Sequence, residues 1–197
     1  MTKKYELGKK HPMLELYQIV ALRDGPWGKT GTVGGWIESE KNLSHDGDCW
    51  VYHEAKVYND AKVFDNAQVY DNALVYGNAQ VFGYAKVYDN ALVSGYARVY
   101  NNTQVYGNAQ VFGYAWVYDN ARVYNNTQVY GNAKVYGNAL VYDNAIVFGN
   151  AKVSGKALIS KNMKIIGNNI EPEFQKTKEI KTENKTDIEE ILIDLMV

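Results

Sequence analysis

The sequence predicts an all-β solenoid, and three periodic features predict it. From Ala55 to Ala157 a small residue recurs at every sixth position, with only Thr103 and Thr127 substituting for alanine. Two residues after each stands an aliphatic residue, valine from Val57 to Val153 and then Ile159, with Val51 and Ile165 in the same phase. An outward aromatic and a two-residue corner complete the unit, Ala-x-Val-Tyr-(Gly/Asp/Asn)-Asn, which runs without insertion. Self-similarity at a short fixed period is the signature of a stacked solenoid.

Each position of the unit has a physical reason. Ala-x-Val-Tyr alternates small-inward, outward, apolar-inward, outward, the period of two of a strand. Valine and tyrosine favour extended backbone, whereas alanine does not and is present for its size. Gly, Asp and Asn then break the strand, because they tolerate positive φ at a corner. So short a strand cannot fold back as a hairpin and bury every valine. Coiling buries them all, each strand pairing with one a full turn away at about 4.8 Å.

Hexapeptides with an aliphatic residue followed four positions later by a small one resemble the left-handed parallel β-helix family. The resemblance implies three hexapeptides per triangular coil, about 18 residues, and left-handed winding against the usual crossover rule. The 20 strands between Cys49 and Ile166 would stack into a prism roughly 30 Å long. Cys49 falls in the alanine column and is expected to be a buried small residue rather than a reactive thiol.

The first 48 residues are not repetitive and read as an N-terminal cap ahead of a repeat region at 49–168. Leu14–Leu22 suggests a strand and Asp24-Gly25-Pro26 a turn. Gly34-Gly35-Trp36-Ile37 and Asn42-Leu43-Ser44…Gly47-Asp48-Cys49-Trp50-Val51 resemble the YdcK-like proteins, a bacterial and phage group with hexapeptide repeats. That similarity covers about residues 5 to 58, with the remainder matching as generic hexapeptides. A cap would keep the open strand edges of a solenoid end from pairing with other chains. At the other end, 169–185 reads as a polar linker. Thr186-Asp187-Ile188-Glu189 begins a capping box, and Ile188, Ile191, Leu192 and Leu195 share one face of a short helix over 186–197.

Composition narrows the function classes. A formal net charge of −1 argues against a protein held to a polyanion by bulk electrostatics. A single cysteine precludes an internal disulfide, as suits a reducing compartment. The lysines of the N-terminus precede no apolar stretch of signal-peptide length, and no segment is apolar for long enough to span a bilayer. Together these predict a soluble cytoplasmic protein with no membrane association.

No constellation of catalytic residues or metal ligands emerges, and no cofactor is expected. Hexapeptide acyltransferases use a histidine base near an extruded loop, and the carbonic anhydrases of this fold need three metal-binding histidines. Here the histidines are His11, His45 and His53, the repeats beyond His53 contain none, and no loop interrupts the coils. The corner aspartates Asp71 and Asp89 are followed in their column by Gly107 and Asn125, which does not make a metal site.

The outward positions are more informative. Sorted by 18, Tyr52, Tyr70, Tyr88, Tyr106, Tyr124 and Tyr142 form a column on a first face. A second face sets Tyr100, Tyr118 and Tyr136 beside Lys62, Arg98, Trp116 and Lys134, the candidate surface for a partner. A third sets Phe112 and Phe148 beside Leu74, Leu92 and Ile146, the candidate surface for a homo-oligomer, dimer or trimer. A protein is the favoured partner, with nucleic acid the lesser alternative. Segments repeating after 24 and 30 residues would have moved from one face to another on duplication. These features favour a non-catalytic scaffold that presents rigid aromatic faces, and the YdcK-like resemblance suggests a phage-encoded protein acting on a host component. A trimeric acyltransferase is the alternative. Ice binding fits less well, because Thr103 and Thr127 lie in the inward column.

Overall fold

In the computed structural model, which describes residues 3–167 and 169–170, the chain winds into a parallel β-solenoid of three sheets. Each repeat contributes one short strand, and each strand pairs in parallel with the strand 18 residues away, as Lys86–Val87 does with Gln104–Val105. The strands are two residues long, or three at Ile146–Phe148 and Lys164–Ile166, rather than the four of the Ala-x-Val-Tyr alternation. The ladder nevertheless continues past them. The Tyr88 N–H donates to Val105 O at 3.0 Å, and the Asn90 N–H to Gly107 O at 2.9 Å.

The interior is built from the two predicted columns. The valines from Val51 to Val153 and the alanines from Ala55 to Ala151 are almost wholly buried. Thr103 and Thr127 sit in the same column, where an unpaired hydroxyl would be costly. Each donates to the tyrosine carbonyl three residues earlier, to Tyr100 O at 2.8 Å and Tyr124 O at 2.7 Å. Threonine therefore fits the alanine site without leaving a buried donor open.

Corners take the left-handed backbone throughout. Asp89 has φ 57° and Gly107 φ 68°. At Gly107 a Cβ would stand 2.8 Å from the Asn125 nitrogen of the next coil. Corner carboxylates accept from the coil that follows, the Gly107 N–H donating to Asp89 Oδ2 at 3.0 Å and the Gly83 N–H to Asp65 Oδ2 at 3.2 Å. His53 and Lys161 adopt the same φ, 51° and 56°, without being Gly, Asn or Asp.

The stacking reaches back ahead of the repeats. Strands β1 (Tyr5–Lys10), β2 (Tyr17–Ala21) and β3 (Val33–Ile37) are antiparallel neighbours. β3 then stacks in parallel on Lys56–Val57, pairing Trp36 with Lys56 and Ile37 with Val57. Leu43 bridges Val63, and Trp50–Val51 pairs with Gln68–Val69. Residues 33–51 thus form an irregular first coil. A Cβ on Gly34 would lie 2.6 Å from Ile19 Cγ1 and from Val51 O, and one on Gly35 2.7 Å from Ala55 O. The Gly-Gly pair marks this close approach.

β1 and β2 extend the third-face sheet antiparallel at its N-terminal edge, where an open parallel edge would invite pairing. The same segment buries Trp50, which lies in an outward column. Trp27 stacks on it at 5.0 Å and Tyr5 meets it edge-on at 6.1 Å. At the other end Asn169–Ile170 pairs with Lys152–Val153, an offset of 17 residues, so the last described coil is one residue short. The expected linker beyond Ile170 and the helix over 186–197 lie outside the described residues. Among the described residues no helix is long and apolar enough to cross a membrane.

Candidate interaction faces

Stacking at an 18-residue register brings the second-face residues together. Lys62 and Arg98 are exposed, while Trp116 and Lys134 are half-buried. Arg98 pairs across the ladder with Trp116, and Trp116 with Lys134. The indole lies between two cations, 5.3 Å from the Arg98 guanidinium carbon and 4.5 Å from Lys134 Nζ. Each contact of this kind contributes about 0.5–1 kcal/mol at an exposed site and more when a partner excludes water. Behind them Phe64, Phe82, Tyr100, Tyr118 and Tyr136 stack with centroids 4.7 to 5.0 Å apart.

The third face is less continuous. Leu74 and Leu92 are ladder neighbours, but Gln110 and Gln128 separate them from Ile146. Phe112 and Phe148 belong to one stack, joined through Tyr130 at 4.8 and 5.1 Å. Ser94 interrupts that column above Tyr76. Where Leu74 meets the N-terminal segment, a cavity of about 460 Å³ opens, lined by Leu14, Leu16 and Tyr58 among others.

The histidines and the cysteine are each held locally. His11 Nδ1 accepts from the Met13 and Leu14 N–H groups, each at 3.2 Å, and its ring meets Trp36 edge-on. His45 Nδ1 accepts from the Lys4 N–H at 3.2 Å, and its ring stacks on Tyr5 at 4.3 Å. His53 lies 3.1 Å from Asp71 at an exposed corner. Cys49 is fully buried, and burial pushes its thiol above the usual range. Lys4 is buried beside it, donating to Cys49 O at 2.8 Å and reaching Sγ at 3.2 Å, and burial holds its ammonium below the usual lysine range. Among the described residues no group of three His, Cys, Asp or Glu is placed to hold a metal ion.

Three tyrosines escaped the sequence reading. Tyr84, Tyr96 and Tyr114 take the last corner position, usually asparagine, and are 64%, 52% and 58% exposed. Tyr96 and Tyr114 stack on one another at 5.0 Å along the edge of the second face. A recess of about 560 Å³ runs beside them. The signal was a departure from the repeat, Gly-Tyr in place of Gly-Asn.

Comparison with known proteins rests on these coils. The YdcK β-solenoid repeat model matches in six segments, at 67–83, 85–102, 104–119, 115–131, 127–142 and 133–148. The coils between 67 and 148 match YdcK-type β-solenoid repeats. The YdcK signal therefore lies in the hexapeptides themselves, and the matched repeats are more than generic. The chain is also 40% identical over 52 residues to a protein of Escherichia coli strain K12 named uncharacterized acetyltransferase YdcK. That alignment covers 26% of this chain and 16% of the relative's length, so the chain spans about a sixth of the YdcK relative it matches.

Proposed function

We propose that the chain is a non-catalytic binding scaffold whose second face engages an acidic protein surface. The observation that carries this reading is the Arg98–Trp116–Lys134 array on a rigid ladder. The two cations are held over one indole, and among the described residues neither has a carboxylate within ion-pair distance. Cations without counter-ions, fixed on a strand ladder and backed by aromatic rings, suit a partner that brings carboxylates. The resemblance to a group that is both bacterial and phage is the ground for proposing further that the chain is phage-encoded and acts on a host component. The third face, with Leu74 and Leu92 adjacent, is the surface proposed for homo-oligomer contact.

Two variants test these assignments. Changing Lys62, Arg98, Trp116 and Lys134 together to Ser should abolish capture and cross-linking of acidic proteins from the native host while leaving circular dichroism and particle mass unchanged. Changing Leu74, Leu92 and Ile146 to Lys should lower the mass seen by light scattering. Undiminished capture by the Ser variant would overturn the second-face reading. A second reading, acyl transfer, takes its support from the name of the YdcK relative. Turnover of an acyl-coenzyme A donor that is lost when His11, His45 and His53 are all changed to Asn would favour it.

A further inference from the structure

The recess beside Tyr96 has features that the scaffold itself does not need. Where asparagines stack, last corner residues link into amide ladders. Asn90, Asn108 and Asn126 each donate to the next side chain, ending at Asn144, at 3.3, 3.0 and 3.3 Å, and Asn132 donates to Asn150 at 3.2 Å. In the corner column that runs Asp60, Asn78, Tyr96, Tyr114, Asn132, tyrosine breaks this arrangement twice. Asparagine builds the same corner in neighbouring coils, so the fold does not require the rings. Their exposure leaves large apolar surface in water, which is unfavourable unless something covers it.

The geometry specifies the missing cover. Tyr96 and Tyr114 are parallel within 5° and stack along the solenoid axis. One face of Tyr96 is thus covered by Tyr114, and the other looks along the column to Asn78, where the ladder has no rung. The recess lies there, lined by Asn78, Tyr96 and Tyr114 of the corner column and by Gln80 and Trp116 of the neighbouring strand ladder. A planar ring would continue the stack, and the two amides would meet polar groups at its edge. Lys62 and Arg98 also line the recess and are exposed. They stand two coils apart in one column, about 10 Å. Asp60 adds one carboxylate two residues from Lys62, which weakens that end's pull on an acidic group and leaves Arg98 as the principal contact for acid.

We propose that this recess receives an aromatic side chain flanked by acidic residues on a protein partner, its ring extending the Tyr96–Tyr114 stack and its carboxylates meeting Arg98 and Lys62. The proposal rests on the second-face reading and specifies its partner. Offset-stacked rings are worth about 0.5–1.5 kcal/mol beyond area burial, and the cations add specificity for acid over base.

The test uses the full chain and three blocked pentapeptides, Gly-Glu-Tyr-Glu-Gly, Gly-Glu-Ala-Glu-Gly and Gly-Lys-Tyr-Lys-Gly, titrated at low salt by NMR. The Glu-Tyr-Glu peptide should bind most tightly. Tyr96→Asn, which restores the usual corner residue, should weaken it about fivefold. Arg98→Gln should weaken it comparably, and Tyr84→Asn should leave it unchanged, with all variants retaining wild-type circular dichroism. Equal binding of the Glu-Ala-Glu peptide, insensitive to Tyr96→Asn but lost in Arg98→Gln, would overturn the ring recess while supporting the basic face. Equal binding of the Lys-Tyr-Lys peptide, or no binding of the Tyr peptides while host-protein capture still depends on the second face, would overturn the recess alone.

Discussion

Alanine at every sixth position sets the bore of the solenoid, and valine fills it. The interior contains little else, so no large side chain can rearrange to accommodate a foreign group. Val105 is wholly buried and pairs in register with Val87 and Val123. A carboxylate there has no cation to meet and no water to solvate it. Val105→Asp should therefore cost several kcal/mol, against about 0.5–1.5 kcal/mol for the small cavity left by deleting one methyl(ene) group. Chemical denaturation of the variant would check it, and a midpoint close to wild type would contradict the assignment of this column as interior. Thr103 and Thr127 show what the column does tolerate, a hydroxyl with a carbonyl three residues away. These inward roles were legible because a period of six gives every interior residue the same phase. The burial of Trp50 was not, since it depends on Trp27 and Tyr5 folding back over an outward position.

At the scale of one element, the aromatic column of the first face is a near-continuous stack in which four tyrosines hold their protons more tightly than usual. Tyr70, Tyr88, Tyr106, Tyr124 and Tyr142 stack at 4.8 to 5.2 Å. Burial first, and then the neighbouring Tyr106, Tyr70 and Asp89, push the Tyr88 phenol up to about 12. Tyr52, Tyr70 and Tyr124 are raised in the same direction, burial again being the largest cause. In the unfolded chain a tyrosine ionises near pH 10. The folded state thus holds these protons longer, and the stability this confers is fully present below about pH 10. It is lost as the pH rises toward the folded value of about 12. The thermal midpoint should accordingly fall through that window, with tyrosinate absorbance lagging behind that of free tyrosine. Completion of the absorbance change near pH 10 while the protein stays folded would contradict it. The stacked columns follow from sorting the sequence by 18, which is why the second-face residues Lys62, Arg98, Trp116 and Lys134 were legible as a group. Tyr96 and Tyr114 were not grouped that way, because they stand in corners outside the outward strand columns, and their Gly-Tyr departure from Gly-Asn gains meaning only once stacking brings the two rings together. On the third face the sequence named Leu74, Leu92 and Ile146 together, but Gln110 and Gln128 divide them in space.

Over the whole molecule, one rule, pairing at an offset of 18, organises the coils from Trp50 to Ile166. It fails at the two ends. Residues 33–51 wind into a coil without the repeat, which periodicity alone does not reveal, and its Gly34-Gly35 signature makes sense only once Ile19 and Val51 are seen pressed against it. Between the ends the coils are close to interchangeable, each resting chiefly on its two neighbours. Held by its ends and stretched along its axis, such a molecule has no single strongest layer among its regular coils. Each coil should peel away in turn, releasing about 18 residues of chain, or roughly 55 Å once the about 4.8 Å it occupied is subtracted. A force–extension trace should therefore rise and drop in evenly spaced teeth, and one large cooperative rupture would contradict it. The irregular first coil, tied to the rest by β3 and roofed by β1 and β2, should be the last to yield, so that the trace reads the solenoid from its C-terminal end like the notches of a ratchet.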